Sequence, residues 1–167
     1  MAEWIMKTKM WDWLLFIEKT LMVISSIGVV LILTAVVVCR HIFAVAFIGY
    51  TEVLTLCAFW IYFIGAAYAS YENTHIGADI VGQFASPKTK LKLDIFSRMV
   101  QIIIGIPIMA LGIDMLRFDI VTKQVTVDLK IPLLWSQMPV FIGFTLMTFY
   151  AVVYIIRDYY LLKEGKF

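Results

Sequence analysis

Four stretches of the chain stay apolar for long enough to cross a lipid bilayer, at about residues 20–39, 53–70, 95–115 and 133–156. A helix rises about 1.5 Å per residue and the hydrocarbon layer is roughly 30 Å thick, so each crossing needs about 20 mostly apolar residues. Charged residues gather between the stretches, and the centres of all four lack Asp, Glu, Lys, Arg and His. The pattern predicts an all-α integral membrane protein with four transmembrane helices. Little chain is left for a separate aqueous unit, so residues 1–167 read as a single membrane domain.

The segments between the spans carry their own patterns. Trp4, Trp11 and Trp13 alternate with Lys7, Lys9 and Asp12, which suits a segment lying at the headgroups before the first span. Ile42 to Tyr50 is apolar but too short to cross, and is expected to skim the interface. After the second span, Ile76, Ile80 and Phe84 recur every fourth residue on one face, while His75, Asp79 and Gln83 do so on another. That spacing predicts an interfacial amphipathic arm helix. Ser86 followed by Pro87 reads as a helix cap with proline at the first helical position, so the third helix is expected to start outside the hydrocarbon. Pro107 is expected to bend it. From Val125 to Ile131 apolar and polar residues alternate, predicting a short extended segment, and Pro132, Trp135 and Pro139 mark where the fourth span begins.

Composition agrees with a membrane protein: 62% of residues are apolar and 16% charged, outside the range of soluble domains. The first apolar run is too long for the core of a signal peptide, and no small-x-small cleavage site follows, which predicts a retained anchor helix. Lys and Arg are divided unequally, ten on the side of the two termini and the loop between spans two and three, four on the other. That asymmetry predicts both termini in the cytoplasm. A net charge of +2 is too small to argue for nucleic acid.

Candidate chemistry is sparse. Ala58, Gly65 and Ala69 lie seven and eleven residues along one helical stripe, a packing face for a helix of this chain or of another. Glu52 opens the second span, either as a solvated helix-start carboxylate or as a hydrogen-bonding or salt-bridging group, with Arg40 a candidate partner. Trp60, deeper in the span, reads as packing. His41 and His75 fall on opposite sides of the bilayer and cannot share a metal; each reads as an interfacial polar group, with a polar contact of His75 and Asp79 to a partner subunit as the alternative. Cys39 and Cys57 read as small apolar side chains. No catalytic, substrate-binding or metal site is expected, nor a cofactor in this chain, and with blank span centres neither an enzyme nor a self-sufficient proton-coupled carrier is expected.

Taken in order, Glu52, Trp60, Gly65-Ala66-Ala67, His75-Ile76 and Asp79, with Arg40 before them and Pro132, Trp135 and Pro139 after, resemble the DctQ-type small membrane subunit of TRAP transporters, the tripartite periplasmic systems. The resemblance extends over nearly the whole chain. It implies a one-to-one partnership with a large, many-span membrane subunit that holds the Na+ and substrate sites, and a periplasmic binding protein that delivers an organic acid of the C4-dicarboxylate or sialic acid class. The general look of the chain leans towards the sialic acid branch. The resemblance further implies a bacterial inner membrane location and a role as a scaffold among membrane lipid. The residues by themselves leave open a self-contained homo-oligomeric transporter or channel, and a membrane anchor for a redox enzyme.

Overall fold

A computed structural model of the protein describes residues 9–72 and 87–164. Four α-helices account for nearly all of them: α1 (Lys9–His41), α2 (Tyr50–Glu72), α3 (Pro87–Thr122) and α4 (Leu134–Glu164). Each is long and apolar enough to cross a membrane, as the hydropathy pattern predicts. The expected arm around His75 and Asp79 and the segment holding Trp4 lie outside the described residues.

The helices overrun the predicted spans. With 33 residues, α1 is roughly 50 Å long, well beyond the thickness of hydrocarbon. Nothing between Met10 and Ile27 is Pro or Gly, and Glu and Lys are good helix formers, so the helix has no reason to stop where its hydropathy falls. The third helix begins at Pro87, where its proline suits the first turn, and continues through Pro107 to Thr122.

Laterally the order is α1, α2, α4, α3, because α1 packs on α2, α2 on α4 and α4 on α3. The fourth helix is therefore central: 39% of its most apolar window is buried within the protein, against none of that of α1. Small residues allow the close approaches. A Cβ at Gly143 of α4 would come within 2.7 Å of the Phe63 carbonyl oxygen of α2, and one at Gly28 of α1 within 3.1 Å of the Cys57 sulfur. Wide apolar surfaces stay exposed on the two outer helices, at Val23, Ile27 and Val30 of α1 and Phe96, Ile103 and Leu111 of α3. Lipid or another helix can cover such surfaces at no cost in lost hydration.

One end of this row, the terminal face, carries the start of α1 and the end of α4. The opposite end, the loop face, carries residues 42–49 and 123–133. Residues 42–49 are non-helical, with Ile42, Phe43, Val45 and Ile48 largely exposed. The expected extended segment at 125–131 is a tight hairpin closed by a single bridge between Val125 and Pro132.

Candidate functional site

The polar groups of the described residues concentrate in two clasps, one at each face, and α4 takes part in both. At the terminal face the key to the clasp is a repeat in α3. Arg98, Gly105, Gly112 and Asp119 stand seven residues apart and are the buried positions of that helix among those described. Seven residues are close to two helical turns, so the four form one seam. The glycines let α4 come close: a Cβ at Gly112 would sit 3.1 Å from Phe141, and one at Gly105 would overlap Thr148. With the backbones so near, Arg98 reaches the carboxylate of Asp158 on α4 and is buried with it. Asp158 also accepts a hydrogen bond from Arg157 Nε at 2.9 Å, and is itself fully buried. Two guanidinium groups thus share one carboxylate.

Tyr154 completes this cluster. The Arg98 and Arg157 guanidinium carbons stand 4.8 and 4.6 Å from the centre of its ring, within cation–π range. Its hydroxyl donates to the Tyr71 carbonyl oxygen. Tyr71 lies in the last turn of α2, where carbonyls have no intrahelical donor, so the phenol satisfies a group that the helix end leaves open. Nearby, Gln101 Nε2 donates to Ser70 Oγ at 3.1 Å and to the Met147 carbonyl at 3.3 Å, joining α3 to α2 and α4. The first helix enters through Trp11 and Glu18. Trp11 packs against Tyr71, Phe149 and Tyr150 with ring centres 5.4–5.9 Å apart. Tyr150 donates its hydroxyl to Glu18 Oε1 at 2.5 Å, and Glu18 is only 1% exposed.

The loop-face clasp uses backbone groups. Glu52, in the first turn of α2, accepts the Asp128 amide at 2.8 Å on one carboxylate oxygen and the Leu129 amide at 2.9 Å on the other. These amides lie at the tip of the 123–133 hairpin, where they have no acceptor in the hairpin itself, because its own bonds run between Thr126 and Ile131 and between Leu133 and Gln124. Gly49, with φ +81°, lets the chain pass under that tip; a Cβ there would come 2.7 Å from Leu129 Cγ. A second tie crosses from α2 to α4: Trp60 Nε1 donates to the Trp135 carbonyl oxygen at 3.2 Å. This carbonyl is free because the residue four positions on, inside α4, is Pro139, which has no N–H to give it.

Against the sequence-derived candidates, the structure brings Glu52, Trp60, Pro132 and Trp135 together in one clasp. Glu52 turns to the hairpin and not to Arg40, which is exposed at the end of α1. Trp60 hydrogen-bonds as well as packs, and Pro139 lies within α4 near its start. Gly65 faces the same chain, since a Cβ on it would meet Met22 Sδ at 3.6 Å, while Ala58 and Ala69 are half-buried. His41 Nδ1 stays within its own helix, 3.2 Å from the Val37 carbonyl. Cys39 and Cys57 are free thiols. His75 and Asp79 lie outside the described residues.

Sequence reasoning missed Glu18, Arg98, Tyr150, Tyr154 and Asp158. The heptad from Arg98 to Asp119 was the available signal, but a stripe of two glycines and two charges has no hydrophobic period. No three His, Cys, Asp or Glu side chains among the described residues converge to hold a metal ion. Among the described residues four buried side-chain polar atoms have no hydrogen-bond partner: Trp11 Nε1, Glu18 Oε2, Asp119 Oδ2 and Gln137 Oε1.

No curated protein matches the chain. A family model does, that of the DctQ component of tripartite ATP-independent periplasmic transporters, and it aligns with residues 29–160. The matched region takes in the last part of α1, all of α2 and α3 and most of α4, and with them the whole loop-face clasp. On a match over so much of its length, the chain belongs to the DctQ family, and is a multi-pass inner-membrane component of a tripartite transporter.

Proposed function

We propose that this chain is the non-catalytic scaffold subunit of a sodium-coupled importer of an organic acid. The large membrane subunit, paired with it one to one, holds Na+ and substrate, and a periplasmic binding protein supplies an acid of the C4-dicarboxylate or sialic acid class. The observation that carries this reading is where the polar side chains are spent. Glu18, Arg98, Gln101, Asp158 and Tyr154 at one face, and Glu52 and Trp60 at the other, bind one helix of the chain to another or to the hairpin. A solute or ion path needs such groups facing a cavity, and a static support needs them facing inward. A self-associating transporter loses its main argument, because Gly65, in the middle of the small-residue stripe, already packs on Met22.

Reconstitution tests the reading. Vesicles holding this chain alone should take up no sialic acid or C4-dicarboxylate under an inward Na+ gradient. Vesicles holding this chain with the large subunit should do so once the binding protein is added outside. Uptake by the chain alone overturns the proposal. The excess of Lys and Arg in the terminal segments and the loop between spans two and three supports a cytoplasmic location for both termini. A periplasm-active reporter fused after Phe167 should therefore stay silent, and its activity would reverse the orientation.

A further inference from the structure

At the loop face, the end of α1, the non-helical residues that follow and the start of α2 enclose a cleft of about 490 Å³. Val36, Val45 and Phe47 give it apolar walls, Tyr50 stands in its lining, and Arg40 is the charged residue there. Among the described residues no carboxylate lines it; the nearest in sequence, Glu52, is occupied by the hairpin amides. Of the connecting residues, Ile42 and Val45 donate backbone hydrogen bonds to the end of α1, whereas the amides of Phe43, Ala44, Ala46, Phe47 and Ile48 have no backbone acceptor among the described residues.

These facts place the cleft and define its occupant. Non-helical backbone with open amides is not stable against hydrocarbon, so residues 42–49 must lie at headgroup depth. Ile42, Phe43 and Ile48, 64–72% exposed, can still reach the upper acyl chains. At that depth phosphate is the abundant acceptor, and Arg forms a charge-assisted pair with it. With a guanidinium but no carboxylate, the cleft can match a headgroup whose sole charge is its phosphate better than one that also carries an ammonium. We infer that the Arg40 cleft is a binding site for an acidic phospholipid of the phosphatidylglycerol type, its phosphate on Arg40 and the adjoining amides and the upper part of its acyl chains against Val36 and Phe47.

The test uses the full chain purified in mild detergent, titrated with phosphatidylglycerol and, separately, phosphatidylcholine, with bound lipid counted by native mass spectrometry. The wild type should retain phosphatidylglycerol about tenfold better, the size of one charge-assisted contact. Arg40→Gln should abolish that preference, and Arg117→Gln, which removes an exposed charge elsewhere on the chain, should leave it intact. Three results overturn the inference. Equal losses in the two variants would mean diffuse charge attraction, and competition by millimolar inorganic phosphate would mean a free-anion site. Unchanged lipid preference in Arg40→Gln, with weaker recovery of the large subunit, would make Arg40 a protein contact.

Discussion

The two clasps solve the same problem with different chemistry. At the terminal face, side chains meet side chains: a guanidinium and a carboxylate are buried together, with a second, half-buried guanidinium and phenols around them. At the loop face, side chains meet backbone: a carboxylate takes two amides from a hairpin tip, and an indole takes the carbonyl that a proline sets free. The difference is one of interdependence. Removing one partner from a buried ion cluster leaves other charges without compensation, whereas backbone groups at a membrane surface can turn to water.

The largest expected effect follows directly. Asp158→Ala removes the carboxylate that Arg98 and Arg157 share, and unfolding in detergent should lose about 3–5 kcal/mol. Replacing both Arg98 and Asp158 by Met should recover part of that loss, because the buried Arg98 charge goes with its carboxylate, while Arg157, 29% exposed, can turn to water. If the double variant is as unstable as the single one, the cluster matters by shape and not by charge, and the contrast between the faces fails.

Glu52→Ala should cost less, because amides at a membrane surface can turn to water once the charged acceptor is gone. Its signature should be local: faster hydrogen exchange at Asp128 and Leu129, with the Arg98 seam unaffected. Tyr150→Phe is expected to cost about 1–3 kcal/mol, since Glu18 has no other hydrogen-bond donor among the described residues. Combined with Glu18→Leu, that cost should largely disappear. A Tyr150→Phe variant of wild-type stability would mean that water already serves Glu18.

How much of this could be read from the sequence differs between the faces in the same way. Helix number and the loop positions follow from hydropathy, because crossing hydrocarbon demands long apolar runs. Glu52, Trp60, Pro132 and Trp135 were also legible, as residues out of place in or beside a greasy span. The lateral order α1, α2, α4, α3 was not, since in lipid a helix can be apolar on every side and its pattern does not say which side meets a neighbour. Arg98 and Asp158 were hidden for a related reason. Charges at the ends of spans count towards orientation, and nothing in their spacing from one another, 60 residues apart, marks them as partners.

The smallest effect gives the sharpest test of the loop face. Trp60→Phe keeps the ring and removes the indole N–H, so it should cost about 1 kcal/mol, the net worth of a hydrogen bond. The same change made in a Pro139→Ala background should cost almost nothing. There the restored amide at position 139 satisfies the Trp135 carbonyl from within α4, and the indole has lost its acceptor. Whatever Pro139→Ala does alone to the packing of this buried site cancels in the double-mutant cycle. A coupling near 1 kcal/mol would establish that the proline serves to free a carbonyl for Trp60. A coupling near zero would mean that Trp60 holds α2 to α4 by packing alone, as its place in an apolar span first suggests.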